Sequence, residues 1–296
     1  MSTAGIKILW LFLCVLLFAG CGEQRSISVI TKSQSPFQIL SDTIITSDVS
    51  IEPGVVIELA DSVSVTFRGS VSLIGSQNER VVVQPINSSW EYLKFEGDDC
   101  SYYFEYVTIN NGKLLFKTAS IIELLNVNFN NNALQQQKNG LLVMLEGGSF
   151  YGDSINMISN NTGEGIVVSA LDNMTIKNSV FTDVNDAVEL MVCKSGLILD
   201  CSFNQCIHDD GVDLDGCENV VISGNKFTGI ADNCIEVGLD NYSQSFSMGI
   251  LIKNNSFSNS KVGVFSKDYS EIKYDNNTFL NCEKNIEIVD TAYVVF

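Results

Sequence analysis

One phrase recurs along most of the chain: an apolar residue, four further residues, and then an aromatic residue. Its clear copies end at Phe129, Phe181, Phe203, Phe227, Phe257 and Phe279, and two weaker copies end at Ile109 and Ile158. Successive endpoints lie 20, 29, 23, 22, 24, 30 and 22 residues apart, so the basic period is close to 22 with two longer insertions. A unit of this size cannot close a core alone, whereas stacked copies bury a continuous one.

Each unit contains strands of three to five residues with alternating apolar positions, separated by Asn, Gly, Ser or Asp. Stacked rungs about 4.8 Å apart place like residues in ladders. We therefore expect an internal column of phenylalanines and an asparagine ladder at Asn156, Asn225, Asn255 and Asn277. A β-sandwich would not need a fixed period. The sequence predicts an all-β fold, a single-stranded right-handed parallel β-helix with about 22 residues per turn.

The N-terminal segment has the pattern of a secretory signal. Lys7 precedes an apolar run over residues 8–18, which is shorter than the roughly 20 residues of a membrane-spanning helix. Residues 17–21, Leu-Phe-Ala-Gly-Cys, resemble a bacterial lipobox, which implies that Cys21 is lipidated. The alternative is an ordinary signal peptide with an incidental cysteine. Gly22 after it resembles the outer-membrane sorting pattern of bacteria with two membranes.

These patterns give an expected domain organisation. We expect a lipoprotein signal peptide over residues 1–20, a lipidated tether over 21–35 and a β-helix domain over 36–296. The protein is then expected in the bacterial cell envelope, held on a membrane through its N-terminal lipid, and on the outer membrane where the cell has two.

The charge balance limits the partners. The chain has 17 Lys and Arg against 35 Asp and Glu, a net charge of −18, and removal of residues 1–20 changes it to −19. Nucleic acids need basic side chains for their phosphates, so the composition argues against a DNA or RNA partner. One histidine excludes a His-rich metal site. Cations and neutral polymers, which include neutral polysaccharides, remain as partners.

Alignment of the strands by their first Ile or Val exposes columns of acids. Carboxylates one rung apart repel each other, which raises their pKa values or demands a cation. Ca²⁺, which takes six to eight oxygen ligands, is the expected ion, and a solvated face that binds no ion is the alternative. The candidate ligands are Asp186, Glu189, Asp209, Asp210, Asp213, Asp232 and Glu236.

Residues 45–290 resemble the pectin-lyase-like right-handed β-helix repeat family, and Ile51-Glu52-Pro53-Gly54-Val55-Val56-Ile57 resembles the opening of such solenoids. Over residues 155–290, phrases such as Asp209-Asp210-Gly211-Val212-Asp213 resemble the repeat regions that accompany spore-coat-H-like proteins. Kinase motifs are absent from the sequence, and these repeat regions have no agreed activity as a family. The resemblance therefore implies the fold and leaves the function open.

A second resemblance suggests chemistry. Asp210-Gly211-Val212-Asp213 and, one turn later, Asp232-Asn233-Cys234-Ile235 resemble two signature segments of polygalacturonase-like glycoside hydrolases. The match implies Asp232 as the acid and Asp210 as a base. It departs from the family at Asn233, which replaces a second acid, and at Val262, where a Gly-His-Gly segment would be expected.

Three further residues are candidates for the same site. Lys267 and Asn233 are candidate substrate contacts, and Lys267 is also the nearest cation for lyase chemistry, although pairing with Asp268 or Asp215 is its simpler role. His208 is a candidate general acid or base or, alternatively, a paired surface group. We favour a noncatalytic envelope protein that presents an acidic face to cations or glycans. The alternative is a carbohydrate-active enzyme, a polygalacturonase-like hydrolase or a polysaccharide lyase.

Seven cysteines remain after residue 21, an odd number. Cys206 and Cys282 share an apolar column and are expected as buried thiols. Cys193 and Cys217 share another column and could bridge neighbouring turns.

Overall fold

The computed structural model of the protein describes residues 23–117, 120–131, 141–145, 147–160, 163–290 and 293–295. Within them the chain runs through short strands and one 3₁₀ turn, Lys32–Gln34. The first eighteen strands are β1 (Glu23–Arg25), β2 (Val29–Ile30), β3 (Phe37–Ile39), β4 (Thr43–Ile45), β5 (Val49–Ile51), β6 (Val56–Leu59), β7 (Ser64–Phe67), β8 (Val71–Ile74), β9 (Val81–Pro85), β10 (Tyr92–Phe95), β11 (Ser101–Glu105), β12 (Val107–Asn110), β13 (Lys113–Phe116), β14 (Ser120–Leu125), β15 (Asn128–Asn130), β16 (Leu142–Leu145), β17 (Gly148–Asp153) and β18 (Asn156–Ile158).

The second half continues in the same way. Its strands are β19 (Glu164–Ser169), β20 (Asn173–Lys177), β21 (Val180–Thr182), β22 (Asn185–Met191), β23 (Gly196–Leu199), β24 (Ser202–Asn204), β25 (Val212–Asp215), β26 (Val220–Ser223), β27 (Lys226–Thr228), β28 (Asn233–Asp240), β29 (Ser245–Phe246), β30 (Ile250–Lys253), β31 (Ser256–Ser258), β32 (Val262–Ser266), β33 (Glu271–Asp275), β34 (Thr278–Leu280), β35 (Lys284–Ile288) and β36 (Tyr293–Val295).

Three parallel sheets form the walls of a solenoid. Sheet 1 has 13 strands and runs β1-β4-β7 to β28-β32-β35, with β29 attached to β28; sheet 2 has 12 strands and runs β2-β5-β8 to β36; and sheet 3 has 11 strands and runs β3-β6-β9 to β34. The exception to parallel pairing among the described strands is the β28–β29 hairpin. The predicted fold class, a right-handed parallel β-helix, is confirmed.

The core consists of stacked side chains from successive rungs. Phe181, Phe203, Phe227, Phe257 and Phe279 stack with ring centroids 5.0, 4.6, 5.1 and 4.9 Å apart, as predicted. Each of these phenylalanines pairs with the phenylalanine of the next strand. Paired residues of neighbouring parallel strands point to the same face of the sheet, so the rings stack on its inner face.

The asparagine ladder is confirmed in part. The amide of Asn225 donates to Asn255 Oδ1 at 3.1 Å, and that of Asn255 donates to Asn277 Oδ1 at 3.0 Å. The prediction for Asn156 is wrong, because Asn156 pairs with Val180 in sheet 3. The predicted endpoint of the repeat in that rung, Ile158, is also wrong. The endpoint is Met157, which pairs with Phe129 and Phe181.

The solenoid starts earlier than expected. Within the segment predicted as a tether, β1 pairs with β4 and β2 pairs with β5. Ile30 is 2% exposed, so residues ahead of position 36 already contribute an apolar side chain to the first rung. The predicted signal peptide and Cys21 lie outside the described residues. In the part of the chain that is described, no helix has the length and apolar character of a membrane span.

Candidate functional site

The outer face of sheet 1 carries the predicted column of carboxylates. Glu189 on β22 pairs with Asp213 on β25, which pairs with Glu236 on β28. The next rungs continue this column with Phe265 and Glu287. Three acids in successive rungs therefore stand about 4.8 Å apart along the solenoid axis.

A second acid column lies at the beginning of these strands, where the chain turns into sheet 1. The backbone N–H of Asp210 donates to Asp186 Oδ1 at 3.2 Å, and the backbone N–H of Asn233 donates to Asp210 Oδ1 at 2.7 Å. Each carboxylate thus satisfies a backbone donor of the following rung. Asp210 is only 3% exposed. The hydrogen bond from the backbone N–H of Asn233 therefore lies inside the turn and fixes the direction of the Asp210 carboxyl group.

The two columns converge on two triplets of carboxylates. Asp186, Asp209 and Asp210 each offer an oxygen within 4.8 Å of the others, and so do Asp210, Asp213 and Glu236. Asp210 belongs to both triplets, so the five side chains form one connected group, which we name the acidic site. Of the predicted metal ligands, Glu189 and Asp232 lie outside both triplets.

The environment of the acidic site disfavours negative charge. Burial, followed by repulsion from Glu236, raises the pKa of Asp210 to about 9. Burial, followed by repulsion from Asp209, raises the pKa of Asp186 to about 7. Burial, followed by repulsion from Asp215, also raises the pKa of Asp213 well above its usual range. These groups need a proton or a cation to be stable in this surrounding.

Asp213 is the least satisfied member of the site. Its Oδ1 is buried and has no hydrogen-bond partner among the described residues. The nearby Glu236 is better supported, since its carboxylate forms an ion pair with Lys267 and accepts the amide of Asn233 at 2.8 Å. Buried polar atoms are rarely left unpaired, so the Asp213 oxygen is an unusual feature of the acidic site.

The residues proposed for hydrolysis have different surroundings. Asp210 is buried, whereas the Asp232 side chain is 42% exposed and pairs with Lys261 Nζ at 2.5 Å. His208 is exposed in the turn ahead of β25. Lys267 pairs with Glu236, where Asp268 or Asp215 had been expected, and Asn233 lies between Asp210 and Glu236.

A hairpin beside the acidic site carries aromatic residues that the sequence analysis did not single out. It extends β28 into β29, and Phe246 on β29 meets Tyr269 edge to face at 5.9 Å. Phe246 is 44% exposed, Tyr269 58% and Tyr242, at the tip, 98%. The available signal was the 30-residue spacing between Phe227 and Phe257, which marks an insertion at this rung.

Comparison with known proteins gives a class. Residues 112–245 match the family described as the right handed beta helix region. The alginate lyase from Paenibacillus sp. str. FPU-7 aligns with a TM-score of 0.52 at 11% identity, over 90% of this chain and 99% of that chain. This likeness shows a common fold.

Two further solved structures align less well. They are the A-modules of the Azotobacter vinelandii mannuronan C-5 epimerases AlgE4 and AlgE6, with TM-scores of 0.38 and 0.40 and identities of 13% and 10%. The AlgE4 alignment covers 86% of this chain and 91% of that one, and the AlgE6 alignment covers 92% and 88%. No curated protein matches the sequence. The protein therefore has the fold of a right-handed parallel β-helix, built from stacked repeats.

Proposed function

We propose that this protein is a lipid-anchored protein of the bacterial cell envelope that binds a divalent cation, Ca²⁺, at its acidic site. The observation that carries the proposal is the buried Oδ1 of Asp213, which has no partner among the described residues. It belongs to a carboxylate that meets Asp210 and Glu236 within 4.8 Å.

The spacing of the carboxylates suits calcium. Ca²⁺ binds oxygen ligands at about 2.3–2.6 Å, so two ligands on opposite sides of one ion stand roughly 5 Å apart. Oxygens that all lie within 4.8 Å of one another can therefore surround a single ion. A bound cation would also reverse the raised pKa values, because it favours the ionised form of each ligand.

The experiment compares thermal stability with calcium and with a chelator. A ligand that binds only the folded state stabilises it by about 2.7 kcal/mol at a hundredfold excess over its dissociation constant, so we expect calcium to raise the melting temperature (Tm). Asp213→Asn keeps the size of the side chain and removes the charge, and should abolish this rise. Asp172→Asn is the matched control, since Asp172 is an exposed carboxylate paired with Lys194 at 2.6 Å. Equal calcium responses in all three proteins, or none in the wild type, would refute the proposal.

A second candidate function is a carbohydrate-active enzyme at the same face, either a hydrolase or a lyase. The exposed pair Phe246 and Tyr269 favours it, because aromatic rings beside polar groups suit the apolar faces of sugar rings. The raised pKa of Asp210, about 9, keeps this carboxyl group protonated near neutral pH, which suits a general acid and disfavours the base role that the resemblance implies for Asp210.

In this alternative, Asp210 and Asp232 would carry the proton transfers, with His208 as a further candidate acid or base, and Asn233 and Lys267 would contact the sugar. Reducing ends or unsaturated products released from a panel of acidic polysaccharides would establish the activity. Their loss in Asp210→Asn or Asp232→Asn would assign it to this face. Unchanged polysaccharides would leave cation binding as the function of the site.

A further inference from the structure

Two cysteines stack on neighbouring rungs beside the acidic site. Cys193 follows β22 by two residues, and Cys217 follows β25 by two residues. The in-register pairing of these strands, which ends with Met191 opposite Asp215, continues past them. The backbone N–H of Val192 donates to the carbonyl of Asp215 at 2.8 Å, and that of Glu218 donates to the carbonyl of Cys193 at 2.8 Å. The two cysteines are therefore held opposite each other.

Their side chains meet in the interior. Cys193 is 1% exposed and Cys217 is not exposed, and each thiol influences the pKa of the other. The Cys217 thiol also donates to the carbonyl of Leu190 at 3.3 Å. Neither thiol is exposed to solvent, and the two occupy matching positions of neighbouring rungs.

The rung spacing suits a covalent link. Residues opposite each other on adjacent strands lie about 4.8 Å apart, and disulfide-linked residues have Cα atoms roughly 4.4–6.8 Å apart. Backbone hydrogen bonds hold the two segments together on either side of the cysteine pair. Neither segment therefore has to unfold for the S–S bond to form.

We propose that Cys193 and Cys217 are a modification site, at which a disulfide bond links two successive rungs of the solenoid. The two thiols lose two protons and two electrons as the S–S bond forms. The oxidant is a disulfide-bearing thiol–disulfide exchange partner, whose own S–S bond is reduced to two thiols. The reaction takes place as the chain folds in an oxidising compartment, before the rungs above and below bury the sulfurs.

The other cysteines are less well placed to form a disulfide bond. Cys206 and Cys282 share one column, but Ile230 and Ser260 occupy the rungs between them, as the pairing of their strands shows. Cys234 directly precedes Ile235, which pairs with Val212 and Val264, so the matching positions in the neighbouring rungs are Gly211 and Gly263. Cys201 donates to the carbonyl of Leu199 at 3.2 Å, and Cys100 is half-buried near the carbonyl of Asp98 at 3.4 Å.

The link would fasten the rung of Glu189 to the rung of Asp213 close to the acidic site. A cross-link here limits the separation of these rungs and thereby stabilises the face on which the carboxylates lie. This inference does not depend on cation binding, but it rests on the envelope location in the proposed function, because an exported chain folds in an oxidising compartment.

The test is thiol counting and peptide mapping of the full chain, refolded in a buffer of reduced glutathione and glutathione disulfide. Free thiols are alkylated under denaturing conditions, and the protein is digested and analysed by mass spectrometry. We expect two unalkylated cysteines and one linked peptide pair containing Cys193 and Cys217, lighter than the sum of its peptides by two hydrogen atoms. Cys201→Ser is the control and should retain the link.

Two results would overturn the proposal. One is complete alkylation of Cys193 and Cys217 in the refolded wild-type protein. The other is a linked pair that contains different cysteines. Cys217→Ser should lose the linked peptide and leave Cys193 alkylated. Should that variant fail to fold, the linked peptide of the wild type, and its disappearance on reduction, still decides the question.

Discussion

Asp210 has a structural role that the sequence pattern could not predict. Alignment of the strands by their first Ile or Val places Asp210 in a column with Asp186 and Asn233, each two residues before that anchor, and the structure confirms the column. The pattern does not report that its carboxylate turns toward the next rung to accept a backbone N–H, because a turn sets this direction and strand periodicity does not. The same turn geometry separates buried Asp210 from Asp232, whose side chain is 42% exposed.

The raised carboxyl pKa values predict an unusual dependence of stability on pH. Burial raises the pKa to about 7 for Asp186 and Glu189 and to about 9 for Asp210. The folded protein thus binds protons that the unfolded chain, with carboxyl pKa values near 4, has already released. Stability from these groups is complete below about pH 4 and is lost as the pH rises through 7 and 9. In a chelator, we expect the Tm to fall steadily across this range.

Variants separate this effect from general alkaline destabilisation. Asp210→Asn should show a shallower fall in Tm, because an amide cannot ionise, and Asp172→Asn should follow the wild type. Calcium should flatten the wild-type curve, since the ion takes the place of the protons. A Tm that stays level or rises from about pH 5 to pH 9 in chelator would contradict the assignment.

At the level of elements, the stacked phenylalanines identify which sequence signals are reliable. Phe203, Phe227 and Phe257 were predictable because a large aromatic ring repeated at a fixed position can be buried only inside the stack. The endpoint at Met157 was misplaced by one residue, because Met157 and Ile158 are both apolar and periodicity alone does not choose between them. The β28–β29 hairpin was visible only as a longer spacing.

Truncation of the central ring should be costly. Phe227 has no exposed surface and stacks on Phe203 at 4.6 Å and on Phe257 at 5.1 Å. Phe227→Ala removes contacts on both sides and leaves a cavity, so we expect a loss of about 3–5 kcal/mol in the free energy of unfolding. Phe246→Ala, at a position 44% exposed, is the control and should change stability by about 0.5 kcal/mol or less. Equal losses in a denaturant titration would show that burial in the stack is not the cause.

For the whole molecule, the period of about 22 residues was enough to predict the architecture. A solenoid is built from one repeated contact between neighbouring rungs, so a single well-read repeat specifies the rest. The start of the domain was harder to place. Residues 23–35 contain only short apolar segments, and their pairing with β4 and β5 depends on the next rung and not on their own sequence. Function depends on the turns and insertions, which the repeat does not specify.

The last prediction follows from the proposed envelope location and concerns the N-terminus of the protein. A cysteine after Leu-Phe-Ala-Gly is expected to be acylated, and several acyl chains hold a protein on a membrane at about 0.8 kcal/mol per buried methylene group. The mature chain should therefore begin at Cys21, partition into detergent and have a mass increased by its lipids. Cys21→Ser should leave an unprocessed or soluble form, whereas Cys201→Ser, which alters a buried thiol of the solenoid, should behave as the wild type. Full detergent partitioning of Cys21→Ser with an unchanged mass would show that the anchor is not at this cysteine.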